Sequence, residues 1–141
     1  MEPYVHEIQY YETDAMRCTH HSNYIRFMEE ARLDYLRRLG WGYEKMEADG
    51  LVSPVVSLSA EYRAPTHFGD RIEISVSIAR MTGARLSFAY VMRCTGKVVF
   101  TGESSHCFLD ENGTPVLMGR RYPAFTEAIS RLLSPGAPEE K

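Results

Sequence analysis

Cysteine is scarce and scattered in this chain. Cys18, Cys94 and Cys107 are odd in number and far apart within 141 residues. That excludes a disulfide framework and fits a reducing compartment, so the cytoplasm is the expected location. Long hydrophobic runs are missing too. No apolar stretch approaches the roughly 20 residues that cross a bilayer, so no membrane span is expected. The first residues, Met1 to Glu7, hold no basic segment followed by an apolar block, so no secretory leader is expected. Positive charge is not in excess: 16 Lys and Arg stand against 19 Asp and Glu, a net charge of −3. Non-specific nucleic-acid binding needs the opposite balance. Repeats, low-complexity blocks and interdomain linkers are absent.

What is present is ordinary for a globular protein, with 44% apolar and 25% charged residues. The length suits one domain with a real core. That domain is expected over residues 1–133. Residues 134–141 contain two prolines, a glycine and charge, and read as a disordered C-terminal tail.

The hydrophobic period changes along the chain. Tyr4, His6, Ile8 and Tyr10 alternate with Val5, Glu7, Gln9 and Tyr11, a short half-buried strand. From Asn23, a helical stripe of Tyr24, Phe27, Met28, Ala31, Tyr35 and Leu39 recurs at three- and four-residue spacing. Ser22 reads as its N-cap and Gly40 as its C′ residue. Alternation then returns. Val56, Leu58, Ala60 and Tyr62 form one face of a strand, and Ile72, Ile74, Val76 and Ile78 one face of the next. Leu86 to Cys94 and Val98 to Leu109 follow, joined by a turn at Thr95-Gly96-Lys97. Pro123 starts a short helix presenting Phe125, Ile129, Leu132 and Leu133. No long helix separates the later strands, so the sheet is antiparallel. The fold class is α+β: an antiparallel sheet wrapped around one long central helix. Its uncovered face and edges are left to solvent or to a second subunit, where Ser57 and Ser59 are candidate interface residues.

The loop Glu12 to Tyr24 carries the chemistry. It sets Asp14 between a strand and the start of the amphipathic helix, with His20 and His21 close by in sequence. A carboxylate, an imidazole and the positive end of a helix are parts of a hydrolytic site. Cys18 with His20 and His21 superficially resembles a metal set. The remaining histidines, His6, His67 and His106, are scattered, and no spacing matches a zinc motif, so no metal and no cofactor are expected. Cys18 lacks a paired His/Asn signature and reads as a pocket-lining residue.

Two segments together resemble the hotdog-fold acyl-CoA thioesterases, in particular the 4-hydroxybenzoyl-CoA thioesterase-like group. One is Tyr11-Glu12-Thr13-Asp14-Ala15 with His21-Ser22-Asn23-Tyr24 and Glu29-Glu30-Ala31-Arg32. The other is Tyr62-Arg63-Ala64-Pro65-Thr66-His67-Phe68-Gly69-Asp70. The resemblance spans roughly Tyr4 to Pro115. It implies a hotdog fold and hydrolysis of an acyl-CoA to the free acid and CoA. It implies Asp14 as the catalytic carboxylate, acting as nucleophile or as general base. His21 marks the helix start, whose backbone N–H groups hold the thioester oxygen. It also implies a homodimer, or a homotetramer built as a dimer of dimers, with the site between subunits and acyl-CoA as the only partner besides the second copy.

Many members carry small residues, often glycines, where this chain has Met16 and Arg17. Both, with His20, Asn23 and Tyr24, become candidate substrate contacts. Arg63, Arg80, Arg85 and Arg93 are candidates for the CoA phosphates. Arg63 and Arg85 are favoured, Arg85 because it opens a strand in a Gly-Ala-Arg-Leu-Ser pattern. Two rivals remain: a hotdog hydratase or dehydratase using Asp14 with His21, and a non-catalytic acyl-CoA-binding protein.

Overall fold

The computed structural model describes residues 1–133; the expected tail, 134–141, lies outside the described residues. Five strands form one antiparallel sheet in the order β1-β3-β4-β5-β2. They are β1 (Tyr4–Glu7), β2 (Val55–Tyr62), β3 (Arg71–Met81), β4 (Arg85–Cys94) and β5 (Lys97–Cys107). The long helix α1 (His21–Arg38) is followed by short α2 (Tyr43–Ala48), α3 (Met118–Arg121) and α4 (Pro123–Ser130). This is the α+β arrangement expected, with one long helix against an antiparallel sheet. The two short helices α2 and α3 carry too few turns to leave a periodic signal in the sequence.

Helix α1 buries Tyr24, Phe27, Met28, Ala31, Tyr35 and Leu36. Its stripe meets the inner residues of the sheet, among them Ile72, Ile74, Ile78, Phe88, Tyr90, Met92 and Phe100, in a single buried cluster. Burying one such large side chain contributes roughly 1.5–3 kcal/mol before entropy is set against it. The helix therefore fixes the sheet, and the sheet fixes where the helix starts. At the other end Gly40 has φ +86 and its N–H bonds the Arg37 carbonyl at 3.0 Å, the expected left-handed stop. Between β4 and β5, Thr95 and Gly96 both have positive φ, +49 and +82, as a two-residue hairpin requires.

The structure departs from the sequence pattern at three places. The first strand stops at Glu7, and a 3₁₀ turn occupies Tyr10–Glu12. The cause is Glu12, whose carboxylate accepts from the Gln9 N–H at 2.7 Å and lies 2.8 Å from His6 Nε2. Second, helix α1 begins at His21, so the N-cap is His20 and not Ser22. The His20 Nδ1 accepts from the Ser22 N–H at 3.2 Å. The Glu12 carbonyl, accepting from the His20 N–H and the Asn23 amide at 2.8 Å each, pulls the helix start two residues forward. Third, β2 has no buried face in this chain. Val56, Leu58 and Tyr62 are 41%, 43% and 48% exposed. β2 is the edge strand beyond β5, while α1 packs over β3 and β1, so Val56 and Leu58 overhang the helix and Tyr62 meets its first turn.

Among the described residues no helix is long and apolar enough to cross a membrane, and no group of three His, Cys, Asp or Glu side chains is placed to hold a metal ion.

Candidate active site

The loop before α1 is tied down at both ends. Thr13 and Thr19 bridge each other, and Cys18 bridges His67. Thr19 N–H donates to the Thr66 carbonyl at 2.8 Å. The buried Thr66 hydroxyl sits 2.7 Å from the Thr19 hydroxyl and 2.8 Å from the Tyr24 hydroxyl. Glu12 reaches both histidine-bearing segments: its carboxylate holds His6, and its carbonyl holds His20 and Asn23. Between these anchors the chain makes a tight reversal. The Arg17 N–H bonds the Asp14 carbonyl at 2.9 Å, and the Asp14 N–H bonds the Cys18 carbonyl at 2.9 Å. Closing it puts Arg17 at φ +66, in the left-handed region that favours glycine.

Asp14 is half-buried at this turn. Its Oδ1 accepts from the Met16 N–H at 2.9 Å, which fixes the side chain as an Asx turn does. Its second oxygen has no hydrogen-bond partner among the described residues and is available for chemistry. Of the first three N–H groups of α1, that of Ser22 goes to the His20 ring and that of Asn23 to the His20 carbonyl. The His21 N–H has no protein acceptor among the described residues. The Tyr62 hydroxyl donates to the His21 carbonyl at 2.9 Å, pinning the last residue of β2 to the helix start.

A cavity of about 340 Å3 opens here, lined by Asp14, Met16, Cys18, His21, Tyr62 and Arg63 with the neighbouring Thr19, Tyr24, Ala64 and Pro65. Of the residues singled out from the sequence, Asp14, Met16, Cys18, His21, Tyr24 and Arg63 meet around this space. His20, Asn23, Arg17 and Arg85 do not line it. His20 caps the helix and stacks its ring on that of His21, centroids 4.2 Å apart. Asn23 is buried on Glu12. Arg85 pairs with Cys107 at the far end of β4, whereas the Tyr62 end of β2 pairs with Phe100. Arg63 is held by Glu61 at 2.9 Å and by the Thr101 hydroxyl at 3.3 Å. Thr19 and Tyr62 were not singled out for this cavity. Tyr62 carried only the signal of an aromatic ending an alternating strand.

The family described as the thioesterase-like superfamily matches residues 8–133. The chain belongs to that superfamily. A protein of Bacillus subtilis (strain 168), YneP, provisionally named an acyl-CoA thioesterase, is 30% identical over 127 residues, covering 89% of this chain and 92% of its own. The DHNA-CoA thioesterase of Staphylococcus aureus superposes with a TM-score of 0.88 at 29% identity, over 92% of this chain and 89% of that one. A hypothetical protein of Thermus thermophilus superposes with a TM-score of 0.87 at 30% identity, over 94% and 99%. Structural neighbours named as thioesterases share the architecture, so the hotdog reading of the fold holds.

This member of the thioesterase-like superfamily has a second cavity, of about 280 Å3, under the Val55 end of β2. Leu36, Phe88, Phe108 and Phe125 form its apolar wall, and Glu29, Arg32 and His106 its polar one. A hydrogen-bonded chain runs along that polar wall. Arg32 Nη1 lies 3.1 Å from the Tyr90 hydroxyl, which lies 2.6 Å from Ser104 Oγ, which lies 2.8 Å from His106 Nε2. The neutral His106 ring donates from its other nitrogen to the Ser53 backbone, so Nε2 accepts. The Ser104 proton therefore goes to His106 and the Tyr90 proton to Ser104, leaving the Tyr90 oxygen to accept from Arg32. Burial, with the Arg32 charge adding to it and a Ser53 backbone hydrogen bond opposing it, lowers the His106 pKa to about 4, which agrees with that tautomer. The sequence carried one signal for this site: Ser104 and His106 stand at core-facing positions of β5 between Phe100 and Phe108.

Proposed function

We propose that this protein is an acyl-CoA thioesterase, converting an acyl-CoA and water to a carboxylic acid and CoA, with Asp14 as its catalytic carboxylate. The observation that carries the reading is the pairing of two unfilled groups in one cavity. One is the free oxygen of the Asp14 carboxylate, and the other is the unpartnered His21 N–H at the positive end of an 18-residue helix. Hydrolysis of a thioester needs both. Asp14 either attacks the carbonyl carbon with its own oxygen, giving an acyl–Asp14 anhydride that water then hydrolyses to the acid, or takes a proton from a water that attacks instead. The His21 N–H stabilises the oxyanion that forms as the carbonyl π bond opens. Collapse of that intermediate breaks the C–S bond, and the thiolate leaves as CoA. The names of the relatives support the thioester class.

The working unit in this proposal is a dimer formed edge to edge through β2. The stripe of Val56, Leu58 and Tyr62 is exposed on an open strand edge, which a second copy covers and pairs. A two-fold antiparallel pairing sets the Tyr62 end of one copy beside the Val55 end of the other. The Asp14 cavity of each copy then meets the second cavity of its partner.

Replacing Asp14 by Ala or Asn is expected to lower kcat about 100- to 10,000-fold, read as thiol release across short, medium, long and aromatic acyl-CoAs. Near-normal turnover by a folded Asp14→Ala protein sinks the assignment. A single turnover in 18O-water identifies a nucleophilic Asp14 whose anhydride is opened at the Asp14 carbonyl, because the first acid released then carries an unlabelled oxygen from the enzyme; direct attack by water gives labelled acid.

A further inference from the structure

The second cavity contains more polar machinery than a hydrocarbon chain calls for. Arg32 has five N–H donors, and one is used on Tyr90. Among the described residues no carboxylate stands within ion-pair distance of its guanidinium, although Glu29 lines the same cavity one turn earlier on α1. A partly buried charge without a counter-ion is costly, and it persists where something else returns the cost. The relay behind it sets its position. Each link donates away from Arg32, through Tyr90 and Ser104 to a buried His106. The guanidinium is thus held in one place and its remaining donors stay unclaimed. Leu36, Phe88, Phe108 and Phe125 meanwhile exclude water from the other side. The space, about 280 Å3, is that of roughly nine waters at about 30 Å3 each, enough for a short chain or a substituted ring.

We propose that this cavity receives the acyl group and that Arg32, positioned by the Tyr90–Ser104–His106 relay, selects acyl groups carrying an acceptor oxygen remote from the thioester. This rests on the thioesterase reading above. Arg32 is the specificity-determining residue, since it touches the acyl oxygen. Ser104 and Tyr90 are positioning residues that act through it. An acyl chain without the oxygen leaves the guanidinium desolvated and unpaired, and is disfavoured for that reason as much as for the missing bond.

Matched thioesters test this. Glutaryl-CoA against valeryl-CoA offers a carboxylate, and 3-hydroxybutyryl-CoA against butyryl-CoA a neutral hydroxyl. The wild-type kcat/KM is expected to favour the oxygen-bearing member of at least one pair by about 10- to 100-fold, the range of one hydrogen bond to a charged group. Which pair shows it tells whether the acceptor is ionised. Arg32→Met is expected to bring that ratio near one. Arg32→Gln, which keeps an amide donor, is expected to restore part of it. Ser104→Ala is expected to lower the ratio with Arg32 still present. Non-hydrolysable thioether analogues of the same pairs, titrated into wild type and Arg32→Met with folding checked by circular dichroism, read the same preference without turnover. Equal kcat/KM within both pairs in the wild type, or a preference that Arg32→Met leaves intact, overturns the proposal and leaves the thioesterase reading standing. A binding preference that depends on Arg32 in a protein that releases thiol from none of these thioesters, nor from the long-chain and aromatic acyl-CoAs, upholds the selection and removes the thioesterase reading.

Discussion

At His21 a side chain and a backbone group compete for the same role, and the structure separates them. The ring stacks on His20, whereas the N–H at the first helical position has no acceptor among the described residues. Proline is tolerated at that position because the N–H it removes has no intrahelical partner. His20 already has φ −63 and ψ 137, the extended conformation that a following proline demands. His21→Pro therefore deletes one candidate oxyanion donor with little cost to the helix. It is expected to lower kcat about 100- to 1,000-fold, with KM little changed, while His21→Ala keeps most of the activity. Equal losses in the two variants would assign the role to the ring. Arg17 poses a different residue-scale question. Its φ of +66 costs an L-residue about 1–2 kcal/mol. Arg17→Gly removes that strain but adds about 0.5–1 kcal/mol of chain entropy to the unfolded state. A net gain of about 0.5 kcal/mol is expected in urea titration, and Arg17→Val is expected to be less stable than wild type.

Helix α1 and strand β5 meet at the relay, and their packing there carries a pH dependence. An unfolded histidine titrates near 6.5, whereas His106 in the fold titrates at about 4. Between those values the unfolded chain binds a proton that the folded one refuses, so stability falls as pH falls. The contribution is complete above about 6.5 and is lost on descending towards 4. It amounts to about 3 kcal/mol in full and about 2 kcal/mol by pH 5. Urea titrations at pH 7 and pH 5 are expected to differ by that much more in the wild type than in His106→Gln. An identical pH slope in both would remove His106 as the cause. The same two elements show what the sequence made legible. The α1 stripe and the β5 alternation are periodic and depend on one chain alone, so both could be read directly. The start of α1 could not, because the cap is His20, a residue type with no strong capping signal, held in place by the Glu12 carbonyl eight residues earlier. His106 was visible only as an isolated histidine. Its importance comes from Arg32 and Tyr90, far away in sequence, which no periodicity connects to it.

For the molecule as a whole, β2 marks where reading one chain stops being sufficient. The alternation of Val56, Leu58, Ala60 and Tyr62 predicts a buried face, and in this chain that face is open. Both facts hold together if burial comes from a second copy. The two cavities lie at opposite ends of this strand, whose Val55 and Tyr62 are seven residue steps or about 23 Å apart. Along α1, His21 and Arg32 are eleven residues or about 17 Å apart, more than a short acyl chain spans within one copy. Two-fold pairing of β2 with β2 turns the distance into adjacency. Lysines on an edge strand oppose such pairing by burying charge where apolar contact is needed. Val56→Lys combined with Leu58→Lys is therefore expected to give a folded monomer in light scattering, with thioester hydrolysis reduced in step with dissociation. In the proposed dimer each cavity pair draws on both copies, so mixing Asp14→Ala with Arg32→Met protomers is expected to regenerate one site with both residues intact in each mixed dimer. The mixture is then expected to recover up to about a quarter of wild-type sites with the wild-type acyl preference, given random exchange. A double-lysine protein that stays dimeric and fully active, or mixed protomers that recover nothing, would mean that Asp14 and Arg32 do not meet across β2.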